Sequence, residues 1–154
     1  MNAGNGHGFL ASESSVLNVE GLSKQFYIYE RERRIVAFES INFVASTRQF
    51  VCLVGASGSG KSSILKCIYR TYLPTAGSID YKSRDGSWTD LAHASNSEML
   101  ALRRSEIRFV SQFLSAVPRR TSLQIIERAA QDNKQANSLP EDIAKSCLQK
   151  VGLP

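Results

Sequence analysis

Long apolar runs are missing from these 154 residues, and histidine, tryptophan, methionine, proline and cysteine are all scarce. No stretch approaches the ~18 consecutive apolar residues of a membrane-spanning helix, so the sequence predicts no transmembrane segment. Residues 1–15 have no basic start and only Phe9-Leu10-Ala11 as an apolar patch, so no secretory signal peptide is expected. Their glycine, asparagine and serine predict a disordered lead-in, with the ordered domain running from 16 to 154. Cys52, Cys67 and Cys147 are odd in number and lack metal-ligand spacing. They read as small apolar residues in a reducing compartment, and the expected localisation is cytoplasmic. Acids are the scarcer charge, 14 against 19 lysines and arginines, for a net charge of +5. Such a balance suits nucleic acid, but the basic residues alternate with acids in Glu30-Arg31-Glu32-Arg33-Arg34, and no aromatic platform accompanies Arg103-Arg104 or Arg119-Arg120. A solvated face is therefore expected and no direct nucleic-acid partner.

Against that background stands Gly55-Ala56-Ser57-Gly58-Ser59-Gly60-Lys61-Ser62, a complete G-x-x-x-x-G-K-[ST] phosphate-binding loop. At average residue usage the pattern arises by accident in a chain of this length with a probability of roughly half a percent. Phe50-Val51-Cys52-Leu53-Val54 before it has the composition of a strand buried on both faces of a parallel sheet. Ile64, Leu65, Ile68 and Leu73 after it recur near helical spacing, so strand, loop and helix come in the required order. Glycines allow positive φ and close backbone approach, so that successive N–H groups face one concavity. A helix starting at Lys61 adds its unpaired N–H groups and dipole. In this chemistry Lys61 charges the β- and γ-phosphate subsite, Ser62 ligates Mg²⁺ and Ser63 serves the α-phosphate, which makes ATP and Mg²⁺ the expected ligands. A merely flexible Gly/Ser turn would not explain why Lys61 and Ser62 follow the last glycine.

The rest of the chain predicts an antiparallel start and a parallel continuation. Val16–Val19, Phe26–Tyr29, Ile35–Phe38 and Ile41–Val44 read as strands, the middle two flanking the charged loop. Pro74 and Gly77 are expected to end the helix after the loop. Ser78–Tyr81 and Ser87–Leu91 bracket Asp85-Gly86, a hairpin signal. A short helix is expected from Ser97 and Glu98 to Arg104, a strand over Ile107–Val110, and helices over Thr121–Asn133 and Pro140–Val151, the last with proline near its start and Gly152 past its end.

This order of features resembles the ATP-binding cassette (ABC) family over essentially all of 16–154. The resemblance implies an α/β P-loop NTPase fold with an antiparallel N-terminal β-subdomain and an incomplete parallel-sheet core. Leu22-Ser23-Lys24-Gln25-Phe26 is similar to the segment in which the family sets an aromatic ring against adenine, so Phe26 is the stacking candidate; the alternative is a core phenylalanine of the first hairpin. Phe109-Val110-Ser111-Gln112 resembles the glutamine loop, which implies that Gln112 reaches Mg²⁺ and the attacking water. More narrowly, Tyr69–Pro74, the Trp88-Thr89-Asp90-Leu91 hairpin and Val110–Leu114 with Val117-Pro118-Arg119 resemble the L component of the phosphonate carbon–phosphorus lyase system. That implies another ABC subunit and the lyase complex as partners; an ABC transporter subunit is the rival.

The resemblance further implies that a whole cassette continues beyond 154 into a signature, an aspartate-ending strand, a catalytic glutamate and a switch histidine. His7 and His93 both precede the glutamine loop and do not stand at the switch position. No catalytic residue is therefore assigned; hydrolysis is expected to need those further segments, and the chain by itself to be poorly stable or aggregation-prone. Two other classes remain open: a small P-loop kinase, against which speak the hairpins preceding the loop, and a nucleotide-binding module without catalysis.

Overall fold

The computed structural model describes residues 14–111, 119–131 and 139–153. They form two units, 1–99 and 100–154. In the first, strands β1 (Ser15–Ile28) and β2 (Arg33–Ser46) make a long antiparallel hairpin, joined by a 3-10 turn over Tyr29–Arg31. Strands β3 (Ala76–Lys82) and β4 (Trp88–Asp90) complete a four-stranded antiparallel sheet of order β2-β1-β3-β4. The four short strands expected from alternation are two long ones, each kinked in the middle. Gly21 at φ 57° and Ser40 at φ 51° carry the backbone through left-handed positions, and the β1–β2 register slips between Val19 and Gln25. Bulges of this kind re-aim a strand without ending it, so period-two patterning breaks although pairing continues.

The hairpin read at Asp85-Gly86 is present: Gly86 donates to the Ser83 carbonyl at 2.9 Å, and the Asp85 carboxylate accepts from the Ser87 N–H at 2.9 Å and from its hydroxyl at 2.7 Å. Those bonds hold the Asp85 carboxyl below its ordinary pKa. The core of this unit comprises Val19, Leu22, Phe38, Ile64, Cys67, Ile79, Leu91 and Met99. Burial also pushes the Cys67 thiol up.

Helix α1 (Lys61–Ile68) buries Ile64 and Cys67, while Leu65 is exposed and Leu73 lies beyond the helix. Its stop is not Pro74. Arg70, at φ 61°, donates its N–H to the Cys67 carbonyl at 2.9 Å, and the Thr71 N–H reaches the Lys66 carbonyl at 2.8 Å. This is the paired-bond helix ending that normally takes glycine, here with arginine in the left-handed position.

Two expected strands are not in the sheet. Residues 50–54 and 107–110 run without regular structure, and neither segment is a strand of the described four-stranded sheet. A strand exists through its ladder partners, so apolar composition alone does not make one. Phe50 is 89% exposed, Val54 87% and Val110 85%, and Cys52 is exposed rather than buried.

Helix α2 (Asn96–Ser105) begins at a reciprocal cap. The Ser95 N–H donates to Glu98 Oε2 at 2.7 Å and the Glu98 N–H to Ser95 Oγ at 3.3 Å, one residue earlier than the helix start expected at Ser97 and Glu98. In the second unit α3 (Ser122–Gln131) is capped the same way by Thr121 and Gln124. Helix α4 (Pro140–Lys150) starts on proline and ends with Gly152 at φ 74°, the glycine form of the ending that Arg70 makes on α1. Ala144 and Leu148 of α4 are buried, as is Leu102. No helix among the described residues is long and apolar enough to cross a membrane.

Candidate functional site

The phosphate-binding loop is built by the start of α1. Gly60 is the helix N-cap, at φ 85° and ψ 0° in the left-handed region. A Cβ there would land inside van der Waals distance of the Ala37 carbonyl and against the Phe38 ring, so glycine is required twice over. The close approach seats the loop on β2. The first helical bond runs from the Ile64 N–H to the Gly60 carbonyl at 2.9 Å. The amides of Lys61, Ser62 and Ser63 therefore have no acceptor within the helix, and the first turn holds no acid to offset their positive potential.

The Lys61 ammonium donates to the carbonyls of Gly55 at 2.8 Å and Ala56 at 2.6 Å, and lies 3.3 Å from Ser59 Oγ. A further turn forms where the Ser59 N–H meets the Ala56 carbonyl at 3.2 Å. The loop thus folds its own cation over its mouth, with the exposed Ser62 hydroxyl one residue on. Backbone donors, one cation and a hydroxyl, with no carboxylate at the helix start, are a donor set that fits a polyphosphate with its divalent cation.

Phe26 lies in β1 opposite Ile35. Its ring meets Tyr72 edge-on, centroids 5.2 Å apart at 82°, and Lys24 Nζ sits 4.9 Å from its centroid while donating to the Leu73 carbonyl. The ring is half-buried, so the strand presents it to the chain segment following α1. Gln112 lies outside the described residues, as do Phe113, Leu114, Val117 and Pro118.

Sequence reading missed the partners of Arg70. Its Nη1 donates to the carbonyls of Leu91 and Ala94, both at 2.7 Å, tying the end of α1 to the turn after β4. In that turn Asp90 Oδ1 accepts the N–H groups of Ile79 and Ala92, while Oδ2 lies 2.5 Å from His93 Nδ1. An arginine directly after a helix carries no pattern that names carbonyls twenty residues away.

A glycine-rich loop seated on a strand, closing on a helix whose first residue is lysine, defines the P-loop class of nucleotide-binding proteins. Within that class the chain belongs to the ABC transporter family, whose model matches residues 38–154. It is 29% identical over 108 residues, 70% of its length, to the phosphonates import ATP-binding protein PhnC of Bdellovibrio bacteriovorus. It is 28% identical over 141 residues, 90% of its length, to the methionine import ATP-binding protein MetN of Haemophilus ducreyi. To the lipoprotein-releasing system ATP-binding protein LolD of Nitratidesulfovibrio vulgaris it is 29% identical over 135 residues, 88% of its length. Among solved structures it is similar to the dimeric ATP-binding cassette MJ0796 in a post-hydrolysis state bound to ADP and Pi, at a TM-score of 0.74, 26% identity and 90% coverage. The chain spans 38% of the PhnC and MetN relatives, 55% of LolD and 58% of the MJ0796 chain. The fold is that of the α/β P-loop ABC ATPases, and the hairpin subdomain described above is its antiparallel part.

Proposed function

We propose that this chain supplies the Mg-ATP-binding loop of an ABC-type ATPase subunit that works with a membrane transport partner. The observation that carries the reading is the helix start: the amides of residues 61–63 lack helical acceptors, and the Lys61 ammonium is held at the loop mouth by two carbonyls and the Ser59 hydroxyl, neutral acceptors it can exchange for phosphate oxygens. Gly55, Ala56, Ser57, Gly58, Ser59 and Gly60 shape the cradle. Lys61 neutralises the β- and γ-phosphates, Ser62 ligates Mg²⁺ and Ser63 faces the α-phosphate. When bound, ATP supplies the phosphoryl group and the metal screens its charge; the residues assigned here bind and orient.

Phe26 is the adenine platform in this reading, and Gln112 the residue that senses metal and water. The names of the PhnC, MetN and LolD relatives, two importers and a lipoprotein-releasing system, support the transport partner. A narrower second reading, the L component of a carbon–phosphorus lyase system, is supported by the resemblance of Tyr69–Pro74 and of the hairpin carrying Trp88-Thr89-Asp90-Leu91. Co-purification separates them: an integral membrane permease retained with the chain favours transport, a soluble lyase assembly favours the second reading.

Lys61→Ala tests the common core of both. Removing a charge-assisted hydrogen-bond donor of about 1.5–3 kcal/mol lowers affinity roughly 10- to 100-fold. Equilibrium binding of a fluorescent ATP analogue in the presence of Mg²⁺ checks it. An unchanged dissociation constant in a folded Lys61→Ala sample would sink the P-loop reading. Ser62→Ala is expected to leave Mg-free binding intact and to erase the gain that Mg²⁺ confers.

A further inference from the structure

The segment 72–75 that follows α1 is fastened to residues 23–26 of β1. The Thr75 N–H donates to the Ser23 carbonyl at 2.8 Å, and the Gln25 N–H to Thr75 Oγ1 at 3.0 Å. Lys24 Nζ donates to the Leu73 carbonyl at 2.7 Å. Those polar contacts already close the turn into β3, yet the strap also carries an aromatic pair, Tyr72 against Phe26, with ring planes at 82° and centroids 5.2 Å apart.

Tyr72 is anchored to α1 as well. Its N–H and that of Thr71 both reach the Lys66 carbonyl, at 3.1 and 2.8 Å. Lys66 Nζ lies 3.4 Å from the Tyr72 hydroxyl and 5.0 Å from its ring centroid. Backbone and side chain therefore ride on the helix whose first turn closes the phosphate-binding loop. A hydrogen-bonded helix moves as one body, so the Tyr72 ring keeps a fixed place relative to that loop.

Phe26 lies within a nucleotide's length of the same loop. It pairs with Ile35 of β2, and Gly60 presses against Ala37, two residues along that strand. At ~3.3 Å per residue the offset is about 7 Å. A phenylalanine on a strand has more than one χ1 well open to it, and a stacking platform needs one of them held. The perpendicular contact with Tyr72 selects the well. Lys24, whose Nζ sits 4.9 Å from the Phe26 centroid, is tied to the same strap through the Leu73 carbonyl and supports that choice.

We propose that Tyr72 is a positioning residue for the nucleotide base: standing on the P-loop helix, it holds the Phe26 ring in the orientation in which adenine stacks on it. The proposal rests on the reading of Phe26 as the adenine platform. The phosphates are gripped at the start of α1 and the platform for the base is set from its end, so one helix registers both parts of the ligand.

Calorimetric titration of the whole chain with Mg-ATP in one arm and Mg-tripolyphosphate in the other tests it, because the second ligand has the phosphates without the base. Tyr72→Leu should lower ATP affinity roughly 3- to 10-fold, the range of an aromatic pair, and leave tripolyphosphate unchanged. Tyr72→Phe keeps the ring and should bind ATP as the original does. Phe26→Leu should also weaken ATP alone, and adding Tyr72→Leu to it should cost nothing more. Tyr72→Met, which fills the volume without a ring, is the test if Tyr72→Leu does not fold. Unchanged ATP affinity in the folded Tyr72 variant, beside a loss in Phe26→Leu, overturns the positioning role and leaves the platform standing. An equal loss for both ligands, or full additivity in the double variant, overturns it too, the first by showing a general loosening of the fold. Unchanged ATP affinity in Phe26→Leu sinks the platform reading itself, and the proposal with it.

Discussion

At the scale of single residues, two left-handed positions flanking α1 are filled in opposite ways. Gly60 opens the helix where a Cβ has neither room nor an allowed φ, whereas Arg70 closes it in a conformation that favours glycine. Gly60→Ala combines a strained φ with a collision against the Ala37 carbonyl, a backbone atom that cannot swing aside. The expected loss is about 2 kcal/mol or more, seen as a lowered midpoint in urea, together with lost ATP binding because the loop lifts off β2. A variant as stable as the original would mean that the loop is not seated on Ala37 and Phe38. The glycines, Lys61 and Ser62 were all legible in the sequence, since their spacing is itself the chemistry. Arg70 was not, because its partners are backbone carbonyls, which leave no trace in residue identity. Phe26 fell between the two: its type and place were readable, but its contacts with Tyr72 and Lys24 depend on how the chain returns after α1.

At the scale of elements, the helix starts carry most of the local information, and α2 shows how. Ser95 and Glu98 exchange hydrogen bonds across its first turn, and those bonds hold the Glu98 carboxyl below its ordinary value of 4.5. A carboxylate whose pKa is lowered by folding stabilises the fold above its unfolded pKa and ceases to as pH falls through the folded one. The start of α2 is therefore expected to loosen below about pH 4.5, the unfolded value, with faster amide exchange over 96–99. Ser95→Ala should cost about 1 kcal/mol at neutral pH and remove the acid-dependent step contributed by Glu98. If the step survives in Ser95→Ala, another group causes it. The serine-x-x-glutamate signature was in the sequence, yet the helix was expected to begin at Ser97 and Glu98, since Ala94 and Asn96 blur the boundary. The long β1–β2 hairpin was legible only as fragments for the opposite reason: the bulges near Gly21 and Ser40 reset the alternation that pattern reading follows.

At the scale of the whole molecule, the apolar runs that looked most like buried strands hold some of the most exposed large apolar side chains among the described residues. Phe50, Val54 and Val110 lie largely open to solvent, and no described strand pairs with their segments. Composition correctly marked these segments as apolar, but burial is conferred by neighbours, which a run of residues cannot supply for itself. Open aromatic and β-branched side chains attract other apolar surfaces. The chain in isolation is therefore expected to self-associate with rising concentration, more strongly in sulfate, which strengthens apolar burial. Phe50→Asp with Val54→Asp places charge on the run before the P-loop without touching Gly55 to Ser63, and should shift the weight-average mass measured by light scattering towards the monomer. Nucleotide binding through Lys61 should survive in that variant. An unchanged association would locate the adhesive surface elsewhere, with the exposed Tyr29 of the β1–β2 tip as the next surface to charge.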